Sequence, residues 1–273
     1  MQHRKLTFIG AGNMAQAIIA GLVNGGYPAD RICVCAPSVT RRDALAQRYG
    51  VISSGDNIAA AQDADVVVLA VKPQLMASVC EPLRGVLNVP GKLVLSIAAG
   101  VSVARFYTLL GEPLTLVRIM PNTPSLVGKG MSGLYAPANV SAEDRTFSAD
   151  LMQSVGKVCW VDEEHGINSV IAAAGSAPAY FFLFMEAMQQ EAIRQGFTPE
   201  SARQLVQQAA LGAAALVEAS PDTPLSTLRE NVTSKGGTTA EALRVFNERQ
   251  LTQTVADAMQ AAVHRAQEME KLF

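Results

Sequence analysis

The chain has 273 residues, of which 49% are hydrophobic and 17% charged, and its formal net charge is −2. So much apolar material can build a buried core, which argues against a disordered chain. The charges form no long basic or acidic run, so we expect neither a nucleic-acid partner nor an anionic membrane surface.

Short apolar runs alternate with helical patterns in the first half of the chain. Strands are predicted over 6–9, 31–36, 65–71, 93–97 and 116–119, with helices over 13–24 and 40–49 and further strand candidates over 132–135 and 157–161. The uninterrupted run VVVLAV at 66–71 is typical of a parallel strand covered on both faces. Strand–helix alternation predicts an α/β fold: a Rossmann-type doubly wound sheet with right-handed crossovers.

Beyond about residue 162 the strand pattern ends. Segments rich in Ala, Gln and Glu predict helices over 163–173, 177–195, 199–219, 224–231, 238–248 and 250–271. We therefore predict a nucleotide-binding domain over 1–162 and an all-helical domain over 163–273. Alanine gives these helices little apolar surface, so we expect several of them to be buried against a second subunit. The stretch 166–185 carries no charge and approaches the length of a membrane span, but its Asn, Ser, Gly and Pro residues favour a subunit interface instead.

The cysteines and histidines have no zinc-ligand spacing, and we expect no metal. Cys33 and Cys35 stand one residue apart on a predicted strand, and we expect their side chains on opposite faces, as buried, reduced thiols of a cytosolic protein. Residues 1–5 lead directly into the first strand, so we expect no secretory signal and a cytoplasmic location.

A glycine-rich turn follows the first predicted strand and opens the first helix. Residues 10–15 read GAGNMA, which fits G-x-G-x-x-A in the context that the motif requires. Gly10 permits the tight turn, Gly12 lets the backbone approach a pyrophosphate, and Ala15 keeps the helix close to the strand. Free N–H groups and the helix dipole favour the phosphates. We interpret the turn as a dinucleotide site; the alternative is an ordinary glycine-rich turn.

The end of the second strand bears on the choice between NADH and NADPH. NAD enzymes usually place Asp or Glu there to hold the ribose, but no carboxylate precedes Asp43 in this segment. Ser38, Thr40 and the following arginines, Arg41 and Arg42, are suited to a 2′-phosphate. We favour NADPH, with NADH possible; the alternative is that the arginines form a solvated helix face.

Five later motifs suggest a family. They are AVKPQ from Ala70, SIAAG from Ser96, RIMPNTP from Arg118, GSAPAY from Gly175 and VTSKGGTTAEAL from Val232. Together they resemble the pyrroline-5-carboxylate reductase family over nearly the whole chain, and the last motif is specific to it. The resemblance implies hydride transfer from NAD(P)H to the cyclic imine 1-pyrroline-5-carboxylate, giving L-proline in the last step of proline biosynthesis. It also implies an interlocked homodimer, which often assembles into a decamer.

The resemblance assigns roles to particular positions. It implies cofactor contacts from the glycine-rich turn and from the ends of the following strands: Ile9, Gly10, Ala11, Gly12, Asn13, Met14, Ala36, Ser38, Asn57, Ala70, Val71, Lys72, Pro73, Ala98, Ala99 and Gly100. The substrate carboxylate would be held at Ser234, Gly236, Gly237, Thr238 and Thr239. Thr239 would donate a hydrogen bond at the imine nitrogen, and Ser176 is a secondary catalytic candidate near the nicotinamide. Lys235 stands where some members have proline.

Alternatives to this interpretation are a mere capped helix start at 234–239, a related reductase and a regulatory protein. Two glycines let backbone N–H groups converge on an anion, but Ser and Thr are also common N-caps. Related reductases of β-hydroxyacids rely on a lysine in an interdomain helix, and residues 167–190 contain none. An NADPH-binding regulatory protein without turnover would not need a second site shaped for a carboxylate.

Overall fold

The computed structural model describes residues 2–272. Within them, one sheet is built from eight strands: β1 Leu6–Ile9, β2 Ile32–Cys35, β3 Ile52–Ser54, β4 Val66–Leu69, β5 Leu93–Ser96, β6 Leu116–Met120, β7 Gly130–Tyr135 and β8 Gly156–Trp160. The helices that accompany the sheet are α1 Asn13–Asn24, α2 Val39–Tyr49, α3 Asn57–Asp63, α4 Met76–Cys80, α5 Val103–Leu110 and α6 Ala142–Gln153. Every predicted strand is present. β3 was not predicted, because its three residues include only one large apolar side chain.

The strands lie in the order β3-β2-β1-β4-β5-β6-β7-β8. The first six have the doubly wound order and pair in parallel, which confirms the predicted fold. β7 runs antiparallel to β6, with Arg118 opposite Tyr135, and pairs in parallel with β8. The carboxyl ends of β1 to β6 therefore meet at one edge, and ligands of such sheets bind there.

Both faces of the sheet are covered by packed apolar side chains. Along β4, Val66 and Val68 belong to one cluster, while Val67 and Leu69 belong to the other. All four are fully buried, as expected for a central strand with helices on both sides. The run of valines is thus explained by burial on two faces rather than by amphipathic alternation.

The rest of the chain is helical: α7 Gly166–Val170, α8 Ala177–Arg194, α9 Pro199–Ala219, α10 Leu225–Asn231, α11 Thr238–Glu248 and α12 Leu251–Leu272. Between α7 and α8, residues Ile171–Gly175 form a π-helical turn. These elements match the predicted helices to within a few residues. The chain divides into one compact unit that ends at Ser176 and resumes at Ala262, and a second unit, Ala177–Ala261.

The second unit exposes large apolar side chains. On α8, Phe181 and Leu183 are 68% and 67% exposed, and Leu211 on α9 is 60% exposed. This agrees with the small buried area expected of alanine-rich helices. By length and composition alone, Gly166–Arg194 is the one described helical stretch that could cross a membrane, and a single helix of this kind is weak evidence for one.

All four cysteines are free thiols. The prediction that Cys33 and Cys35 point to opposite faces is wrong: their Sγ atoms lie 3.9 Å apart. A strand repeats every two residues, so residues two apart share a face. The hydrogen bond between the two sulfurs raises the pKa of Cys33 and lowers that of Cys35. The expected burial holds for Cys35, while Cys33 is half-buried.

Candidate functional site

The glycine-rich turn is fixed to two neighbouring strand ends. The N–H of Gly10 donates to the carbonyl of Cys35 at 2.8 Å, and the N–H of Ala70 donates to the carbonyl of Ile9 at 2.8 Å. Gly10 has φ +116°, and a Cβ on it would collide with the Ala70 carbonyl, whose carbon would lie only 2.7 Å away. Only glycine fits this turn without strain.

Gly12 lies directly before α1 and differs from Gly10. Its φ of −75° suits any residue, and no atom lies within 4 Å of where its Cβ would be. The missing side chain therefore leaves open space beside the first N–H groups of α1. Such a helix start attracts phosphate, because unpaired N–H groups and the helix dipole act together. The residues present thus fit a dinucleotide pyrophosphate.

The two arginines after β2 have different surroundings. Arg42 donates to the carbonyl of Ala36 at 2.7 Å and lies against Gly55, whereas Arg41 is exposed. Ser38 caps α2 by accepting the N–H of Arg41 at 3.4 Å. Arg41 is thus the side chain of the two that is open to an incoming phosphate.

Acidic side chains near this strand end are held by protein groups. Asp43 accepts the hydroxyl of Ser53 at 2.6 Å. Asp56 caps α3 through Ile58 and Ala59, at 2.9 and 3.0 Å, and so fixes the helix that begins with Asn57. Neither carboxylate is a free ribose ligand of the kind that marks NAD enzymes.

The segments after β4 and β5 line the same edge of the sheet. Residues 70–73 follow β4 directly, and the N–H of Ile97 donates to the carbonyl of Leu69 at 3.2 Å, which joins the two strand ends. Ala98 is held by the Ser96 hydroxyl at 3.3 Å, and Gly100 turns the chain with φ +74°. The structure therefore brings together the segments predicted to contact the cofactor from β1, β2, β4 and β5.

Asn122 is a residue of this edge to which the sequence analysis assigned no role. It is 8% exposed; its Nδ2 donates to the carbonyl of Ala174 at 3.0 Å, and its Oδ1 accepts the N–H of Met131 at 2.9 Å. Asn122 thus connects the π-helical turn to the segment after β6. Ser176, which directly follows this turn, is thereby placed near the carboxyl edge of the sheet. Single π turns are frequent at functional sites. The sequence analysis included Asn122 in the RIMPNTP motif, but the hydrogen-bond partners of Asn122 lie outside that motif, so its role was not predicted.

The predicted substrate turn lies in the second unit. Gly236 has φ +72°, the N–H of Gly237 donates to the carbonyl of Ser234 at 3.0 Å, and Gly237 immediately precedes α11. A Cβ on Gly237 would collide with the hydroxyl of Ser234. Thr238 is exposed and Thr239 half-buried on the first turn of α11. The arrangement offers hydroxyls and helix-start N–H groups to an anion.

The acidic side chain that follows this turn on α11 is neutralised locally. Glu241 lies in the first turn of α11, where its Oε1 accepts Nη2 of Arg244 at 2.6 Å. Hydrogen bonds from Arg244 hold the pKa of Glu241 below its usual range. The carboxylate therefore stays ionised but paired. Within the described chain, no three His, Cys, Asp or Glu side chains are grouped as a metal site would need.

The doubly wound sheet with a glycine turn at its carboxyl edge defines a dinucleotide-binding protein of the oxidoreductase type. Two family models agree: residues 5–100 match "NADP oxidoreductase coenzyme F420-dependent", and residues 164–269 match "Pyrroline-5-carboxylate reductase dimerisation". The chain is 65% identical to a pyrroline-5-carboxylate reductase of Vibrio alginolyticus and 35% identical to one of Escherichia coli strain K12. The alignments cover 100% of both chains in the first case, and 98% and 99% in the second.

Solved structures give the same answer. A pyrroline-5-carboxylate reductase from Coxiella burnetii superposes with a TM-score of 0.94 at 41% identity, covering 98% of this chain and 99% of that one. The Plasmodium falciparum pyrroline carboxylate reductase, solved with NADP bound, gives 0.87 at 29% identity and 99% coverage of both. The chain belongs to the pyrroline-5-carboxylate reductase family, which confirms the resemblance carried by its motifs.

Proposed function

We propose that this chain reduces the C=N bond of 1-pyrroline-5-carboxylate to L-proline with NADPH, as the last step of proline biosynthesis. The observation that carries the proposal is 65% identity over the full length of both chains to a relative of that name. NADPH is preferred to NADH because Arg41 is exposed beside Ser38, while Asp43 and Asp56 are engaged elsewhere.

The nucleotide half of the site would be held by residues of the sheet edge. The dinucleotide, when bound, supplies the hydride. Gly12 and the first N–H groups of α1 bind the pyrophosphate, and Asn57 contacts the adenosine side. The segments 70–73 and 98–100 orient the remainder through their backbone. Orientation of two bound reactants lowers a barrier by several kcal/mol, about 7 or more in favourable cases.

The turn at 234–239 would hold the imine. Ser234, Gly236, Gly237 and Thr238 bind the carboxylate through hydroxyls and backbone N–H groups, and Thr239 donates a hydrogen bond at the imine nitrogen. Ser176 is a second candidate for contact with the reacting rings. A protonated or hydrogen-bonded imine accepts hydride more readily, because the developing charge on nitrogen is neutralised. No strong protein acid is then required.

The two parts of the chain have different proposed functions. We assign nucleotide binding to 1–162 and dimerisation and substrate binding to 163–273, supported by the family match that begins at residue 164. We infer a homodimer, with assembly to a decamer open, in which α8 is covered by the second subunit. We further infer a cytoplasmic enzyme with no membrane or nucleic-acid partner.

The test is turnover of the purified chain with 1-pyrroline-5-carboxylate, followed by NADPH absorbance and proline formation, with NADH compared at equal concentration. Thr239→Ala should lower kcat/KM by at least about tenfold, which is less than the roughly 100-fold or more of a full general acid, because Thr239 donates a hydrogen bond rather than a proton. Thr254→Ala is the matched control, because the exposed Thr254 hydroxyl donates to the backbone carbonyl of Gln250 at 3.2 Å, directly before α12. Unchanged kcat/KM in Thr239→Ala would remove that residue from the mechanism, and no turnover by the wild type would refute the function.

A further inference from the structure

A buried arginine joins four segments of the first unit. The Arg118 side chain, on β6, is 1% exposed, and its Nη1 donates to Oε1 of Glu164 at 2.9 Å and to Oε1 of Glu270 at 2.8 Å. Its Nε and Nη2 are buried without a hydrogen-bond partner among the described residues. We call Arg118, Glu164 and Glu270 the Arg118 junction.

The two carboxylates extend the junction to further backbone and side chains. Oε1 of Glu164 also accepts the N–H of Val103, the first residue of α5, at 2.8 Å. Oε2 of Glu270, near the end of α12, accepts Nδ2 of Asn168 on α7 at 3.3 Å. The junction therefore fixes the start of α5, the middle of β6, α7 and the last turns of the chain relative to one another.

Three of these elements are connected to the carboxyl edge of the sheet. Arg118 lies two residues before the end of β6, and Val103 lies three residues after the loop 98–100. α7 continues through the π-helical turn, which Asn122 binds, to Ser176. β6 and α5 belong to the half of the sheet formed by β4, β5 and β6, and α7 packs against β7, the strand next to β6. In doubly wound folds the two ends of a dinucleotide lie over the two halves, and the glycine turn, α2 and α3 belong to the other half.

Stability alone is a poor reason for such a junction. Buried ion pairs are weak stabilisers, because desolvation offsets the attraction, and apolar replacements of similar volume are often as stable. A guanidinium with two unpaired buried nitrogens adds a further desolvation cost. In some proteins, buried charges instead fix one defined geometry.

We propose that Glu164 and Glu270, acting through Arg118, are positioning residues that set the nicotinamide side of the site for hydride transfer. The chain's last helical turn is thereby part of the catalytic apparatus. This inference rests on the proposed function. It makes the reaction depend on Glu270, which is 152 positions from Arg118 in the sequence and acts through Arg118.

The experiment compares Glu270→Ala with Glu268→Ala. Glu268 lies on the same helix, is exposed and pairs with the exposed Arg265 at 2.8 Å. In Glu270→Ala, kcat should fall at least about tenfold, as expected when reacting groups are misplaced. The deuterium isotope effect with NADPH labelled at C4 should rise, because hydride transfer becomes rate-limiting. Affinity for 2′-phospho-ADP-ribose, which lacks nicotinamide, should stay within twofold of wild type. Glu270→Gln keeps an acceptor for Arg118 and should retain more of the kcat.

Two results would overturn the inference. One is a kcat and isotope effect in Glu270→Ala equal to those of Glu268→Ala. The other is a parallel loss of fragment affinity and kcat, which would mean general destabilisation. If the wild type fails to reduce pyrroline-5-carboxylate, the proposed function falls separately. The fluorescence of bound NADPH nicotinamide still reports on the junction, since we expect it to change in Glu270→Ala and not in the control.

Discussion

Substitution by alanine should have different effects at the two glycines of the first turn: loss of stability at Gly10 and loss of cofactor binding at Gly12. Gly10→Ala places a side chain where φ is +116°, which costs about 1–2 kcal/mol. Its Cβ would also collide with the backbone of Ala70, and forced repacking of this kind costs about 1–3 kcal/mol. The expected loss is therefore about 3 kcal/mol, which corresponds to a fall in Tm of about 6–12 °C for a chain of this size.

Gly12→Ala should leave the fold nearly intact. The backbone there has φ −75°, and the new Cβ meets no atom within 4 Å. The one expected cost is that of alanine at an N-cap, at most about 1 kcal/mol. The methyl group would instead occupy the space through which a pyrophosphate approaches α1, so the Kd for NADPH should rise at least about tenfold.

Both effects are measurable on the same samples at fixed protein concentration. Thermal unfolding without cofactor gives Tm, and quenching or enhancement of NADPH fluorescence gives Kd. The reasoning is refuted if Gly12→Ala destabilises the chain as much as Gly10→Ala does. It is equally refuted if Gly12→Ala binds NADPH like the wild type, because the open space beside α1 would then have no ligand.

Two further predictions concern stability. Burial raises the pKa of Tyr27 to about 12, so Tyr27 should contribute a stability loss of about 2–3 kcal/mol as the pH rises from 10 to 12, where mainly the unfolded chain loses this proton. In urea unfolding at several pH values, Tyr27→Phe should lose less stability than the wild type by this amount, and equal slopes would contradict the assignment. Lys92→Met should cost about 1–3 kcal/mol, because Nζ of Lys92 satisfies carbonyls at the end of α3, that of Gln62 at 3.2 Å and that of Ala64, the residue after α3, at 2.6 Å. Urea unfolding beside the part-exposed control Lys5→Met checks it, and equal stability of the two variants would contradict it.

Most of the fold was predicted correctly because burial and helix periodicity leave patterns in short stretches of sequence. Burial on both faces produces the valine run of β4, and helix periodicity produces α8 to α12 almost to the residue. β3 was missed because three residues carry too little pattern. The error at Cys33 and Cys35 was one of periodicity, since the two-residue repeat of a strand itself places them on one face.

The candidate site also has features that local sequence predicts and features that it does not. The glycine-rich turn is predictable from the sequence because the backbone requires glycine at Gly10, and such a requirement is local. The role of Asn122 depends on Ala174, 52 residues away, and that of Arg118 on Glu270, 152 residues away. Neither pair has a spacing that predicts contact. Buried polar groups of this kind become visible only when tertiary structure shows which partner satisfies them.

The turns at Gly12 and Gly237 both place a glycine before a helix, but the absence of a side chain has a different consequence in each turn. At Gly12 the absent Cβ leaves open space, so the backbone itself is offered to a ligand. At Gly237 the absent Cβ makes room for the Ser234 hydroxyl, which lies against the helix start. The first turn suits a pyrophosphate, which needs several converging N–H groups. The second adds side-chain hydroxyls to those groups, and this is the donor set that suits a carboxylate next to a reacting imine.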